Sequence, residues 1–331
     1  MARDDIVVVL GGAGFIGSHL IDQLRGKVRT IKVVSRKASG AVEPGIEYVQ
    51  GDVCDISRMM EVINGATVVY QLTIEDHFTT GAKNVAEACL REGVRRLIFA
   101  STSEALYLAR RGIITEDQPP DAEHGRRNSY SSGKAESERL LLDYWAREKL
   151  PVVIMRPCIV VGRGGRLNHG GIGVWASSTC LVGWGDGKNL MPFVLVQDVA
   201  DAMVRAMDAP GIVGKTFNLA GDVFFSAREY IQIVAERSLR DFRFYPRNLK
   251  MSGLLEACKS LIKRPVTGKP VANQMHYRDM ISSAMVTQID NSASKRLLAW
   301  QPNSSRDFFI QEAIDSHLEP IPTGDLRLQQ T

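Results

Sequence analysis

The chain has 331 residues, 44% of them hydrophobic and 24% charged, which is the balance of an ordinary globular protein long enough for one large domain and a lobe. A formal net charge of +4, scattered along the chain, excludes a nucleic-acid surface, and no apolar run approaches the ~20 residues that span a bilayer, so no membrane segment is expected. The five cysteines form no CxxC pair and no His or carboxylate cluster has metal-ligand spacing, so neither a disulfide frame nor a metal site is expected, and a reducing, cytoplasmic setting is.

The first half alternates short β-branched runs with longer helical stretches. Ile6–Leu10, Ile31–Val34, Ile46–Val49, Thr67–Leu72, Arg95–Ala100 and Val152–Met155 are almost continuously apolar, as strands buried on both faces of a parallel sheet must be. Between them, Gly14–Leu24, Ser57–Ile63, Gly81–Glu92 and Ser129–Lys149 read as helices. The alternation predicts a Rossmann-type, doubly wound α/β sheet over residues 1–160. Beyond it, Arg163–Gly187 is glycine-rich and reads as a long loop with a short helix. Phe193–Asp208 reads as a strand into a helix and Lys215–Leu219 as a strand, so 193–222 returns to the first domain. Residues 226–300 are mostly helical by pattern. A smaller C-terminal α/β substrate lobe over 161–318 and a loose tail over 319–331 complete the expected organisation.

Gly11, Gly14 and Gly17 stand directly between the first strand and the first helix. In that place glycines permit a tight turn, close backbone approach to a pyrophosphate, and close helix–strand packing, with the phosphates at a helix N-terminus. The end of the second strand, Val33-Val34-Ser35-Arg36-Lys37, lacks the acid that holds a ribose 2′-hydroxyl. Ser35 and Arg36 suit a 2′-phosphate, which favours NADP over NAD. Asp52 in Gly51-Asp52-Val53 is placed either to accept from the adenine amino group, with Val53 against the ring, or to cap the next helix.

Tyr130 and Lys134 are one helical turn apart and lie on one face. A tyrosine with its ordinary pKa near 10 is a poor base, and a neighbouring ammonium and the positive nicotinamide ring are expected to lower it. Tyr130 is then the proton-transfer group for a hydroxyl losing hydride, with Lys134 also on the nicotinamide ribose. Ser103 lies just past the Arg95–Ala100 strand, where ligand groups gather, and is the expected third hydroxyl; Ser101 and Thr102 are rivals by spacing.

Taken together, these residues resemble the extended short-chain dehydrogenase/reductase family, in its NAD-dependent epimerase/dehydratase branch. Gly11–Leu20 reads Gly-Gly-Ala-Gly-Phe-Ile-Gly-Ser-His-Leu, the family opening; Ser101–Tyr107, Thr115-Glu116-Asp117, Tyr130–Lys134, Arg156-Pro157, Phe193–Val199 and Asp290–Pro302 follow in the family order. The resemblance implies a bound NAD(P), with Phe15, Ile16, Leu72 and Pro157 also beside the dinucleotide. It implies a homodimer built from the helices at 81–92 and 129–149. It places the catalytic hydroxyl at Ser103 and makes a nucleotide sugar the substrate, with Glu104, Asn168 and Arg278 as further substrate contacts; Arg278 lies where epimerases put an arginine on the diphosphate, its alternative being an ion pair with Asp279.

The chain departs from the family at several points. Gln71 and Leu195 stand where histidines are usual, and only residues 73–80 separate Leu72 from Gly81. Ala105 occupies the place of the glutamate base of dehydratases, which argues against 4,6-dehydration. The expected activity is a nucleotide-sugar epimerase working by transient hydride transfer at a sugar carbon, C4 in the family. An NADPH-dependent ketone or aldehyde reductase of the dihydroflavonol-reductase or hydroxysteroid type is the alternative. A non-catalytic dinucleotide sensor is a third reading, which the intact Ser103, Tyr130 and Lys134 disfavour.

Overall fold

The computed structural model describes residues 3–37, 43–74, 77–109, 112–122, 127–256, 258, 276–284 and 288–318; the expected tail at 319–331 lies outside the described residues. Seven parallel strands form the central sheet: β1 (Arg3–Leu10), β2 (Val28–Ser35), β3 (Ile46–Gln50), β4 (Val68–Gln71), β5 (Arg96–Ala100), β6 (Val152–Pro157) and, far along the chain, β12 (Thr216–Leu219). Their order is β12-β6-β5-β4-β1-β2-β3, so the winding reverses at β1. A crevice for a ligand opens at such a reversal, and the glycine-rich loop follows β1.

The continuous apolar strands sort by alternation. Val7 and Val9 of β1 pack on one face with Leu20, Leu24, Val199 and Met203, whereas Val8 and Leu10 pack on the other with Met59, Val85 and Leu141. Helices α1 (Phe15–Leu24) and α5 (Val196–Ala206) therefore cover the first face. Helices α2 (Ile56–Ile63), α3 (Phe78–Arg91) and α4 (Ser129–Glu148) cover the second. Helix α3 begins three residues before the glycine the sequence suggested, because Phe78 packs edge-to-face on Tyr130 and starts the turn.

The glycine-rich stretch after residue 163 is built differently from expectation. Its short helix is a single 3₁₀ turn at Gly170–Ile172, and the rest contains an antiparallel pair, β8 (Gly173–Ser177) and β9 (Cys180–Gly183). Gly173 has φ +158, and a Cβ there would lie 2.5 Å from the Val182 carbonyl oxygen, so the glycines that suggested loop are what let the two strands approach. Strand β14 (Arg243–Tyr245) joins β9 in parallel, within a region the pattern gave to helices. The short pairs β7 (Ile159–Val161) with β11 (Phe193–Leu195), and β10 (Leu190–Met191) with β13 (Phe225–Ser226), link this part to the main sheet. The remaining helices are α6 (Ala227–Ser238), α7 (249–256), α8 (Tyr277–Ser283), α9 (Ser292–Leu297) and α10 (Arg306–Ala313). No helix among the described residues is long and apolar enough to cross a membrane, and none of their side chains cluster as a metal site.

Asp198, in the Phe193–Val199 signature, ties α5 to the C-terminal segment. Its carboxylate accepts from the Asn303 amide at 3.0 Å, and its carbonyl accepts from the Trp300 indole at 2.8 Å, with Trp300 fully buried. Burial is the main cause that pushes this carboxyl up to about 6, and Asp201 and Asp222 add to it. The folded value lies above the ordinary one, so the native state holds an extra proton between about pH 4 and 6. Folding stability from this group is therefore lost as pH rises through that window. Asp198→Asn, which never ionises, should gain on the parent between pH 4.5 and pH 7.5, its stability advantage growing by on the order of 2 kcal/mol. Parallel melting curves at the two pH values measure the difference; an identical gap at both would contradict the assignment.

Candidate active site

Gly11 turns the chain out of β1 with φ +84, and its N–H donates to the Val34 carbonyl at 2.9 Å. A Cβ at Gly17 would lie 2.6 Å from both the Gly11 carbonyl oxygen and the Gly12 Cα, so only glycine lets α1 sit this close to the loop. Gly14 caps α1 without any side-chain cap and is exposed, which leaves the first amides of a ten-residue helix open at the crevice. Thr73 Oγ1, just past β4, is buried and has no hydrogen-bond partner. An uncapped helix N-terminus and an orphaned hydroxyl at the switch point fit a dinucleotide, whose pyrophosphate would take the amides of Phe15 and Ile16, the Gly14 amide already donating to the Gly11 carbonyl at 3.0 Å. Phe15 meets His19 edge-on at 5.9 Å, and Ile16 and Leu72 pack against the core beneath.

At the end of β2 and β3, Arg36, Gln50, Gly51, Asp52, Asp55 and Arg58 line a cavity of about 430 Å³. Asp52 does not cap α2: its carboxylate accepts from the Cys54 amide at 2.9 Å, and Asp55 caps the helix through the Arg58 amide at 3.0 Å. Asp52 thus faces the cavity expected to hold the adenine end. Val53 is buried beside it and its carbonyl is held by Asn84.

The chemistry-bearing segment follows β5. Thr102 caps a 3₁₀ turn at Ser103–Ala105 by accepting from the Glu104 amide at 3.2 Å, and Asn128 caps α4 by accepting from the Ser131 amide at 2.8 Å. The turn and the helix start bring the Thr102 hydroxyl near the Tyr130 phenol and the Ser103 hydroxyl near the Cys158 thiol. Of the rival hydroxyls, Thr102 and Ser103 thus stand at the site, and Ser101 is bonded away to the buried Glu138. Lys134 is buried; its ammonium donates to the carbonyls of Ala100 at 2.8 Å and Thr73 at 3.1 Å and lies 4.8 Å from the Phe99 ring.

The phenol does not show the lowered pKa that the sequence suggested. Burial, with Glu104 adding to it, pushes Tyr130 up to about 12, against a smaller lowering by Thr102. The reason is geometric: the Lys134 ammonium is drawn to the end of β5 and of β4 by two carbonyls, so it does not offset the desolvation of the phenol.

A second cavity, of about 290 Å³, opens on this turn. Its walls include Thr102, Ser103 and Glu104 from the turn, Asn128 and Ser131 from α4, His169 and Trp184 from the glycine-rich region, and Ser282 and Ser283 from α8. Glu104 accepts from the Ser131 hydroxyl at 3.3 Å, and burial raises its carboxyl pKa above the usual range. Of the four substrate candidates, Ser103 and Glu104 line the cavity. Asn168 is exposed and outside its lining, with the neighbouring His169 taking that place. Arg278 also lies outside the lining. Its guanidinium pairs with Asp121 at 2.8 Å, not with Asp279, and stacks 3.9 Å over the Tyr107 ring. Pro157 ends β6 next to Cys158.

Residues 7–220 match the NAD dependent epimerase/dehydratase family. With a dinucleotide-type sheet and this turn-and-helix site in place, the chain belongs to that family, whose members are NAD-dependent enzymes of the extended short-chain dehydrogenase/reductase class. Among curated relatives, it is 29% identical over 252 residues to 3beta-hydroxysteroid-dehydrogenase/decarboxylase isoform 2 of Arabidopsis thaliana, covering 66% of this chain and 44% of that one. It is also 29% identical to UDP-N-acetyl-alpha-D-glucosaminuronate decarboxylase of Bacillus cytotoxicus, covering 68% of this chain and 78% of that one. The chain spans about half the length of the two plant hydroxysteroid relatives, 44% and 56%. Among solved structures, MoeE5 in complex with UDP-glucose and NAD superposes with a TM-score of 0.71 over 95% of this chain and 98% of that one, at 21% identity.

Gly17→Ala tests the cradle. The added methyl must displace backbone at 2.6 Å, so the variant should lose roughly 1–3 kcal/mol of stability and bind dinucleotide at least roughly tenfold more weakly. Thermal melting and a fluorescence titration with NAD and NADP check both parts.

Proposed function

We propose that the chain is a nucleotide-sugar epimerase that oxidises a secondary hydroxyl of the sugar, at C4 by family pattern, and returns the hydride to the other face. The observation that carries this reading is the group of hydroxyls, from Thr102, Ser103, Ser131, Ser282 and Ser283, that lines the 290 Å³ cavity beside the helix start bearing Tyr130. Ser103, Glu104, Asn128, Ser131 and Ser282 offer short polar groups to a ring bearing several hydroxyls, and Trp184 offers a flat apolar face. When bound, the nicotinamide supplies the hydride acceptor and a positive charge beside the phenol. That charge would favour the phenolate of Tyr130, which takes the proton from the substrate hydroxyl and gives it back on reduction, and Ser103, with Thr102 behind it, holds the same oxygen. Lys134 keeps the helix against the end of β5 and meets the ribose.

A second reading, net dehydrogenation or ketone reduction of the hydroxysteroid type, is supported by the charge of the cavity. Arg127 is the cationic side chain in its described lining, and Asp279, Asp121 and three carbonyls already take up its donors. The two readings differ in cofactor balance. UDP-sugars should be interconverted with no net rise in reduced-nicotinamide absorbance and no added cofactor; consumption of NADPH with small ketones or steroids, and none of this interconversion, would transfer the proposal to the second reading. Tyr130→Phe should lower turnover at least roughly 100-fold in either case, and near-parental turnover in that variant would remove both.

Ser35 and Arg36 support NADP over NAD, since Arg36 opens on the cavity at the end of β2. Arg36→Glu should weaken NADP binding at least roughly tenfold and leave NAD within a few-fold. Equal losses for both dinucleotides would show that Arg36 does not read the 2′-position. The same reading makes the protein a homodimer through α3 and α4.

A further inference from the structure

Resting on the reading of Tyr130 as the proton-transfer group, we propose that Arg127 and Asp279 are positioning residues, a buried latch through which helix α8 sets Tyr130 against the Thr102–Ala105 turn. Arg127 directly precedes the cap of α4, and its side chain is 1% exposed; that of Asp279 is 4% exposed. The guanidinium donates to Asp279 through Nε at 3.1 Å, to the Glu104 carbonyl through Nη2 at 2.6 Å, and to the Leu106 carbonyl through Nη1 at 3.2 Å. It therefore grips the turn carrying Ser103 and Glu104 through the backbone of the turn and not through its side chains. The other Asp279 oxygen accepts from the Asn128 amide at 2.7 Å. Asn128 is the α4 cap, two residues before Tyr130.

One carboxylate thus holds the start of the helix bearing Tyr130 and, through a planar five-donor cation, the turn bearing the hydroxyls. Neither segment bonds the other as firmly by itself: the direct hydrogen bond between them is the long 3.3 Å one from Ser131 to Glu104. The latch helix also faces the substrate. Ser282 and Ser283 line the cavity, and the Ser282 hydroxyl accepts from the Leu108 amide at 3.0 Å, just beyond the same turn. A substrate seated on α8 consequently meets the element that fixes the reacting phenol. A lysine at 127 retains the charge but lacks the fork that reaches a carboxylate and two carbonyls at once.

The test uses Asp279→Asn and Arg127→Lys in the full chain, each alone and combined with Tyr130→Phe. Turnover of the UDP-sugar or ketone found active should fall at least roughly tenfold in each single variant, with KM changed less than about threefold. On Tyr130→Phe, the same changes should cost less than about twofold, because the group they position is gone. Hydrogen exchange should rise together at residues 102–106 and at the first turn of α4, in either variant that folds. Effects that multiply in full on Tyr130→Phe, or exchange that rises in α8 alone, would overturn the latch. Should Tyr130→Phe itself be fully active, the functional reading falls, while the exchange measurement still decides whether the latch couples the two segments.

Discussion

The site depends on one buried ion pair beneath it. Arg156, in β6, is 1% exposed and meets Glu138 of α4, which is fully buried, through Nε at 3.0 and 3.1 Å and through Nη2 at 2.7 Å. The same carboxylate accepts the Ser101 hydroxyl, and the remaining guanidinium donor reaches the carbonyls of Glu116 and Gln118 at 3.3 Å. Two charges this deep lose several kcal/mol of hydration each, so the pair persists only because each guanidinium nitrogen and both carboxylate oxygens have partners. Removing one partner of such a pair costs about 3–5 kcal/mol. What the matching fixes is the angle of α4 to the sheet. Glu138 sits one turn beyond Lys134 and two beyond Tyr130, so a helix pinned at 138 presents 134 to the end of β5 and 130 to the turn.

The parts of the protein legible in the sequence are those in which one short segment carries its own constraint. Gly11, Gly14 and Gly17 signal a turn, an open helix end and a close contact through spacing alone, and all three roles have a physical counterpart here. The Tyr130–Lys134 spacing needs only helical periodicity. The parallel strands needed only their unbroken apolar runs. What escaped depended on distant partners. Arg127 and Asp279 lie 152 positions apart, and nothing local distinguishes that arginine from Arg126 or that aspartate from its neighbours. Arg278 next to Asp279 invited a local pair, whereas the fold sends each to the opposite partner. The lowered phenol pKa failed likewise, because spacing gives the proximity of Lys134 but not the two carbonyls that hold its ammonium.

Several motifs that carry the family resemblance hold the frame. Thr115-Glu116-Asp117 supplies the Glu116 carbonyl to Arg156, and the Glu116 carboxylate lies 3.4 Å from the Asn218 amide of β12. Asp198 anchors Trp300, and the Asp290 region returns to β12 through Asn218 and to the chain near Ile114. These residues bring the late strand β12, the C-terminal close and the catalytic helix onto one sheet. Family motifs of this kind are therefore informative about the fold.

The 3₁₀ turn at Ser103–Ala105 shows how tightly that frame limits the chemistry. With about three residues per turn, its successive side chains point in three directions. Ser103 and Glu104 face the cavity, and Ala105 points inward, fully buried, against Ala122 and the equally buried Ala135 of α4. A carboxylate at 105 would enter a contact of three methyl groups with no cation assigned to it, since Arg127 and Arg156 are already matched. It would be desolvated without compensation and would press α4 away from the turn. The absence of a base at 105 is thus part of the packing that seats Tyr130, and not a single missing side chain. The acid that this turn does present is Glu104. Burial favours its neutral form, which makes it a hydrogen-bond donor more readily than a proton acceptor from carbon, so it does not replace the base that is missing at 105.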